Sequence, residues 1–276
     1  MNKILFKEDL APNIKKIVLE APFVAKKASP GEFVVIIVDG QGERVPLTIV
    51  DSDKKKGTIT LIFQEVGKTT YKLGKLKTGD AILNLLGPLG KAAEIKKIGT
   101  VVTVGGGVGI AEVYPLTRAF KEAGNSVISI IGARSKKLLI LEQELRSVSN
   151  ELFVTTDDGS YGREGFVSDV LEEVMASSKK PQLIYAVGPV VMMRVVSELS
   201  RPYKIKTLVS LNPVMVDATG MCGSCRVCVC GETKFGCVDG PEFDGHEIDF
   251  AELEKRLKLF SEQEKIAMEG LKIHAT

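Results

Sequence analysis

The sequence predicts a β-barrel followed by an α/β unit with a parallel sheet, then a short cysteine-bearing segment and a terminal helix. Three observations carry this. Residues 1–97 hold short β-branched runs broken by Pro, Gly and Asp. From residue 98 onward, apolar strand patterns alternate with helical ones. All five cysteines of the 276 residues fall between positions 222 and 237.

In the first part, IKKIVLEAP, EFVVIIVD, RVPLTIVD and GTITLIFQEV are strand-like runs separated by turn chemistry. That density of strands, without helical periodicity, predicts a small antiparallel barrel over 1–97. GTVVTVGGG then reads as a buried strand, AEVYPLTRAFKEAG as a helix, SVISIIGAR as a strand and KKLLILEQELRSV as a helix. ELFVTTDDG, GFVSDVLEEVM, PQLIYAVGP, VVMMRVVSELS and KTLVSLN continue the alternation through residue 213. Strands alternating with helices over short connections build a parallel sheet covered on both faces. Residues 214–245 form the cysteine segment and 246–276 the terminal helix, in which Phe250, Leu253, Leu257, Phe260, Ala267 and Leu271 keep one apolar stripe. That stripe suits packing on its own unit or docking to a partner.

Composition narrows the function classes. With 44% hydrophobic and 26% charged residues the chain has material for real cores. A net charge of +2, with dispersed lysines, does not indicate nucleic acid. The N-terminus lacks a signal-peptide pattern, and no run approaches the roughly 20 apolar residues that span a bilayer. The expected location is the cytoplasm, where clustered thiols bind metal more often than they form disulfides.

Two strand-to-helix turns bear glycine. Gly105, Gly106, Gly107, Val108 and Gly109 fill the first, and Gly188 and Pro189 the second. Glycines let backbone approach a pyrophosphate closely, and a helix N-terminus offers it unpaired N–H groups. The loop is not a strict G-x-G-x-x-G, and the next strand ends GARSKK with no acidic residue for a ribose. Arg134 is a candidate ribose or phosphate contact, and Asp157 and Asp158 are candidates for the nicotinamide side. In the barrel, Arg44, Pro46, Leu47 and Thr48 form one extended set suited to phosphate or a flavin ring. Gly67, Lys68, Thr69 and Thr70 form a second set with donors for a diphosphate, and Phe63 on the preceding strand is a further candidate contact.

The cysteines admit three metal readings. A zinc site needs four tetrahedral ligands, usually from two separated knuckles. A [4Fe–4S] site needs C-x2-C-x2-C with a remote Cys-Pro, but Cys237 precedes Val238. The plant-type [2Fe–2S] spacing, C-x4-C-x2-C with a remote cysteine, places Asp217 where the first cysteine stands. The set is then Asp217, Cys222, Cys225 and Cys237, with Cys228 and Cys230 as bystanders on a strand. A rival set replaces Asp217 by Cys228.

R-x-P-L-T and G-x-T-T in a barrel, then an α/β unit opening GGGVG, resemble the ferredoxin–NADP reductase superfamily. LNPVMVDATGMCGSC and KFGCVDGPEFDGHEIDF narrow the resemblance to its iron–sulfur branch. Within that branch they are more similar to the small subunits of NADH-dependent ferredoxin–NADP reductases than to the electron-transfer subunits of dihydroorotate dehydrogenase B. The resemblance implies FAD in the barrel, NAD(H) on the α/β unit and a [2Fe–2S] cluster held by one Asp and three Cys. It implies an oxidoreductase that takes hydride from NADH and relays electrons to a larger glutamate-synthase-like subunit carrying flavin and iron–sulfur clusters. Through that partner it would couple indirectly to ferredoxin and NADP by electron bifurcation. A dihydroorotate dehydrogenase partner is the alternative within the class, and a zinc- or redox-sensing regulatory module the alternative outside it. His246 is expected at the surface or an interface.

Overall fold

In the first unit, apolar residues do not alternate cleanly with polar ones, and the sheet they form shows why. The structure is a computed structural model that describes residues 2–40, 42–177 and 180–273. The strands are β1 (Asn2–Ala11), β2 (Ile14–Glu20), β3 (Phe33–Ile37), β4 (Val45–Asp53), β5 (Thr58–Gln64), β6 (Ala81–Ile82) and β7 (Asn84–Leu89). Helices α1 (Pro22–Lys27) and α2 (Lys68–Lys75) lie in the connections. The strands pair antiparallel in the order β6-β1-β2-β5-β4-β3-β7. Its two edge strands, β6 and β7, are separated in the chain by Leu83 alone, so the sheet curls until its edges meet. Ile17, Leu19, Val34, Ile36, Ile59, Leu61 and Phe63 fill the interior. Their strand neighbours Ile14, Phe33, Val35, Val50 and Ile62 are buried as well, but on the outer face, beneath other parts of the chain.

The second sheet is built from β8 (Thr100–Gly106), β9 (Ser126–Ala133), β10 (Glu151–Thr156), β11 (Arg163–Glu164), β12 (Leu183–Val187) and β13 (Lys206–Ser210). Helices α3 (Gly109–Glu122), α4 (Glu142–Val148), α5 (Val167–Ala176) and α6 (Val190–Ser200) connect them. These strands are parallel, in the order β11-β10-β9-β8-β12-β13. Val101, Val102, Val104, Ile128, Ile130 and Ile184 are fully or almost fully buried, as expected of strands covered on both faces. The helix expected over KKLLILEQELRSV is shortened to a single 3-10 turn, Lys136–Leu138, and α4. The reason is packing: Ile140 is buried, with Leu139 and Leu141 packed against it, in the apolar cluster that also holds the barrel's Ile14, Val50 and Ile62. A helix would point three consecutive residues in different directions.

The cysteine segment contributes a two-stranded ribbon, β14 (Arg226–Val229) and β15 (Glu232–Phe235), and then β16 (Glu242–Asp244). β16 pairs antiparallel with β13 and extends the α/β sheet, a pairing the sequence did not announce. The terminal stripe is split between α7 (Phe250–Leu257) and α8 (Ser261–Ile273). Phe250 and Leu253 are buried in the α/β core with Leu257 against it, while Leu259 and Phe260 are exposed. Tight turns close α7, with Lys258 N–H donating to Lys255 O and Leu259 N–H to Arg256 O, both at 3.2 Å. α8 then passes beside α2 on the barrel, with Ala267 half-buried; the side chain of Leu271 lies outside the described residues.

β16 also carries a carboxyl to the junction of the two units. A Cβ on Gly31 would come within 2.6 Å of Glu242 Oε1. Glu242 Oε1 and the Tyr185 hydroxyl are both buried without a well-aligned hydrogen-bond partner. Burial pushes the Glu242 carboxyl up to about 7. A carboxyl raised in the folded state keeps its proton longer than in the unfolded chain, so stability falls as pH rises from the ordinary range through about 7. Glu242→Gln should remove that fall, gaining up to ~3 kcal/mol at pH 8 and little at pH 5. Urea unfolding of both proteins across this range checks it, and parallel pH profiles would refute it.

Candidate functional site

Strand order reverses between β8 and β12, and the carboxyl ends of neighbouring strands at such a point leave a crevice. A cleft of about 720 Å³ opens there. Of the residues expected at a nucleotide site, Gly106, Gly107, Val108, Gly109, Arg134, Asp157, Gly188 and Pro189 line it. The two turns touch closely: a Cβ on Gly109 would lie 2.4 Å from Val187 O, and one on Gly188 would lie 3.1 Å from Gly106 Cα. Gly107 has a φ of +57°, a conformation side chains disfavour. Gly105 is packed inside, where a Cβ would meet Val113 and Ile110, so it shapes the loop without facing the cleft. Asp158 also stands apart from the cleft and accepts the Ser160 N–H at 2.9 Å.

The barrel closes one side of this cleft through Ile14 and Gln64. Between the units, the Thr48 hydroxyl donates to Glu112 Oε2 at 3.0 Å. Burial pushes the half-buried Glu112 carboxyl up, with the Thr48 bond a smaller opposing effect. Sequence reading missed Glu112, although it is the acidic residue in the apolar start GIAEVYPL. It also missed Phe166, an exposed aromatic preceding α5 that lines the cleft.

The second barrel set forms the start of α2, whose N-cap is Gly67. Its free N–H groups suit an anion. Thr70 caps this turn: its Oγ1 accepts the Gly67 N–H at 3.1 Å and donates to Gly67 O at 3.0 Å. Thr69 donates to Glu43 Oε2 at 3.3 Å, and Lys68 is half-buried. Phe63 is 1% exposed within the barrel interior, where it serves packing. Pro46 and Leu47 oppose Val35 and Val34 across the β3–β4 pair. Arg44 turns away from this set and reaches the cysteine segment, donating to Asp217 O at 3.0 Å.

In that segment Cys225 and Cys237 are buried against Phe33 and Val35 of β3, their Sγ atoms 3.2 Å apart, and all five cysteines are free. Burial, then the neighbouring Cys225 thiol, pushes the Cys237 thiol up to about 12. Cys222 is exposed; the backbone N–H of Ser224, approaching its sulfur at 3.5 Å, leads the interactions that lower its pKa. Asp217 Oδ2 accepts the Thr219 N–H at 3.0 Å, the Met221 N–H at 3.4 Å and the Thr219 hydroxyl. The Thr219 hydroxyl leads in holding this carboxyl below its ordinary range.

Among the described residues, no three donor atoms of Asp217, Cys222, Cys225 and Cys237 lie within 4.8 Å of one another. A single zinc ion would gather four ligands onto a tetrahedron with edges of ~3.8 Å. The close Cys225–Cys237 pair suits two ligands of one metal centre, with Asp217 and Cys222 in the adjoining loop. Backbone N–H groups aimed at the Cys222 and Cys225 sulfurs also suit thiolates. The Cys228 sulfur lies with the carboxylates of Asp249 and Glu252 at the start of α7. Asp249 is that helix's N-cap and accepts the Glu252 N–H at 2.9 Å. His246 is held within the α/β unit, its Nε2 2.9 Å from Ser200 Oγ.

Comparison with known proteins agrees with this layout. Residues 103–198 match the oxidoreductase NAD-binding domain family. Residues 212–249 match the iron–sulfur cluster binding domain of dihydroorotate dehydrogenase B. The chain is 46% identical over 269 residues to a dihydroorotate dehydrogenase B electron transfer subunit homolog of Thermotoga maritima, covering 98% of this chain and 95% of the relative. It is 33% identical over 261 residues to the dihydroorotate dehydrogenase B electron transfer subunit of Enterococcus faecalis, covering 90% and 97%. Among solved structures, a chain of the NADH-dependent reduced ferredoxin–NADP oxidoreductase, studied for flavin-based electron bifurcation, superposes with a TM-score of 0.93. It is 46% identical, with 98% of each chain covered. Phthalate dioxygenase reductase, 18% identical over 83% of this chain and 86% of its own with a TM-score of 0.63, shares the fold. No helix among the described residues is long and apolar enough to cross a membrane.

Arg134 is exposed on the cleft wall, where a substitution can test which nicotinamide nucleotide it meets. Arg134→Ala should weaken NADH binding about tenfold, or ~1.4 kcal/mol. Equilibrium titration with NADH and NADPH tests this, and a loss confined to NADPH would reassign Arg134 to a 2′-phosphate.

Proposed function

The chain belongs to the family of dihydroorotate dehydrogenase B electron-transfer subunits and their homologues, and on that premise we propose that it oxidises NADH at FAD. Electrons then pass through a [2Fe–2S] cluster to a larger partner. The observation that carries this reading is the close Cys225–Cys237 thiol pair, seated on the same barrel whose other side closes a nucleotide cleft. FAD, when bound, accepts an electron pair as hydride and passes electrons on singly, which a nicotinamide cannot do.

The chain's own residues supply position and charge. Gly106, Gly107, Val108, Gly109, Gly188 and Pro189 let nucleotide backbone approach the strand ends, with Arg134 and Asp157 at the rim. Gly67, Lys68 and Thr69 at the start of α2 hold the flavin diphosphate, and Pro46, Leu47 and Thr48 border the flavin ring. Oxidation of NADH to NAD+ leaves one proton for every two electrons, and a cluster carries electrons only. The Glu112 carboxyl, bonded to Thr48 at 3.0 Å on the cleft wall, is the chain's group placed to take up that proton.

The partner is a larger glutamate-synthase-like subunit with its own flavin and iron–sulfur clusters. The pair couples NADH, NADP and ferredoxin by flavin-based electron bifurcation. A TM-score of 0.93 with 98% of each chain covered against a chain of the bifurcating oxidoreductase supports this partner. The T. maritima homolog named for dihydroorotate dehydrogenase B is equally identical at 46% and keeps the other partner as the outcome to test. Co-purification from the native host tests the partner directly, and recovery of a dihydroorotate dehydrogenase subunit would overturn it.

The purified chain should show flavin bands with broad iron–sulfur absorbance, and a colourless zinc protein would refute the reading. Asp217→Ala should lose most of its iron, Asp217→Cys should keep a [2Fe–2S] signal at a changed potential, and Cys228→Ser should keep the wild-type signal. Iron analysis and EPR decide: an unchanged Asp217→Ala beside a cluster-free Cys228→Ser would transfer the ligand role to Cys228.

A further inference from the structure

We propose that Arg44 is a positioning residue for the cluster: it orients Asp217 so that Oδ1 alone faces iron, and its charge tunes the cluster's potential. This rests on the reading of Asp217 as a ligand. Nothing in the spacing of R-x-P-L-T points to it, since that motif places Arg44 among flavin or phosphate contacts. In the fold, Arg44 is joined to Asp217 across 173 positions of sequence. Its Nη1 donates to Asp217 O at 3.0 Å and lies 3.3 Å from Asp217 Oδ1.

Counting lone pairs identifies the oxygen available to a metal. A carboxylate oxygen has two acceptor sites. Oδ2 already faces three donors: the Thr219 N–H, the Thr219 hydroxyl and the Met221 N–H. Oδ1 has a single long contact, to Arg44, which leaves it a site for iron. Asp217 therefore binds through one oxygen. The shorter Arg44 bond goes to the main-chain carbonyl, so it persists when the carboxylate shares its charge with metal. Ala218, the next residue, sits at a φ of +63°, and a backbone held in that region keeps its shape only with support on both sides.

Magnitudes decide which property Arg44 governs. The Arg44 and Asp217 side chains are 43% and 25% exposed. An ion pair that open to solvent adds little to folding stability. A fixed guanidinium beside a redox centre acts differently, because it favours whichever state carries more negative charge. Reduction adds an electron to the cluster, so Arg44 raises the potential. Arg44 also immediately precedes β4, and Thr48, four residues on, touches Glu112 at the cleft. At the usual strand rise the backbone positions of the two residues lie about 14 Å apart. One strand thus holds the spacing between the nucleotide cleft and the cluster loop.

The test uses the full chain carrying flavin and cluster, with Arg44→Gln, Arg44→Lys and Asp217→Ala prepared in parallel. Flavin and iron contents, the EPR spectrum of the reduced cluster and its redox titration are read for each. Arg44→Gln should keep wild-type flavin and iron, shift the EPR g-values, and lower the reduced-to-oxidised ratio at the wild-type midpoint by about tenfold. Arg44→Lys should fall between, and it carries the test if the Gln variant does not fold. Loss of flavin with an unchanged cluster spectrum would overturn the proposal and return Arg44 to the flavin site. If Asp217→Ala loses the cluster while both Arg44 variants keep the wild-type spectrum and potential, the ligand stands and the Arg44 role falls. If Asp217→Ala keeps the wild-type spectrum, the ligand reading itself has failed and this proposal with it.

Discussion

A barrel that is apolar on both faces is the constraint on which the rest of this molecule depends. A small antiparallel barrel needs one apolar residue in two to fill its interior. Here β3 presents Val34 and Ile36 inward and Phe33 and Val35 outward, all at most 4% exposed. The outward pair seats Cys225, Cys237 and Ala218 of the cysteine segment. On β2, β4 and β5 the outward residues Ile14, Val50 and Ile62 meet Ile110, Ile131, Ile140 and Leu145 of the α/β unit. Left uncovered, either patch would be an exposed apolar surface. Covering both seats the cleft and the cluster loop against the same barrel.

The same constraint explains the path of the chain after the parallel sheet. The cysteine segment leaves β13, packs on the barrel at Phe33 and Val35, and returns through β16 to the edge of the sheet it left. A pairing that returns the chain to its parent sheet limits how far the loop can move from the cleft. Lys91 N–H donating to Gly240 O at 2.7 Å and Leu211 N–H donating to Pro241 O at 2.9 Å stitch this return to the linker and to the end of β13. Electron transfer needs separation that varies little, and anchoring the loop at both ends favours that.

Much of this was legible in the sequence where the signal is local. The strands β2 to β5 and β8, β9, β10, β12 and β13 follow from β-branched runs between turns, and the glycine turns follow from their place after β8 and β12. The proposed cluster set rests on register alone. The misses have physical causes. NKILFKEDLA gives β1 mixed polarity because most of its residues are only partly covered, so its pattern is weak. The extended stretch after Lys136 is forced by packing into an apolar cluster shared with a barrel more than seventy positions upstream in the chain. β16 has three residues, too few for any periodicity. Phe63 looked like a ligand contact because aromatic residues suit flavins, but inward-facing barrel positions also demand bulk. Arg44 and Glu112 act through partners distant in sequence, and no local spacing encodes those.

Polar and apolar contacts between the units do different work. Thr48 to Glu112 and Arg118 to Asp51, at 3.0 and 2.8 Å, are each single bonds, and the second joins groups 33% and 45% exposed. Bonds of that kind contribute ~1 kcal/mol or less. The shared apolar cluster has eight buried residues, and burying one Val, Ile or Leu is worth ~1.5–3 kcal/mol. Burial therefore decides that the units stay together, and by a wide margin. It says little about their precise rotation, because apolar contact is non-directional. Directional bonds select one rotation, and here the hydroxyl of Thr48 and the guanidinium of Arg44, four residues apart, each meet one carboxylate: one on the nucleotide side, one on the cluster side. A change at either end of that short stretch should alter alignment while leaving the fold intact.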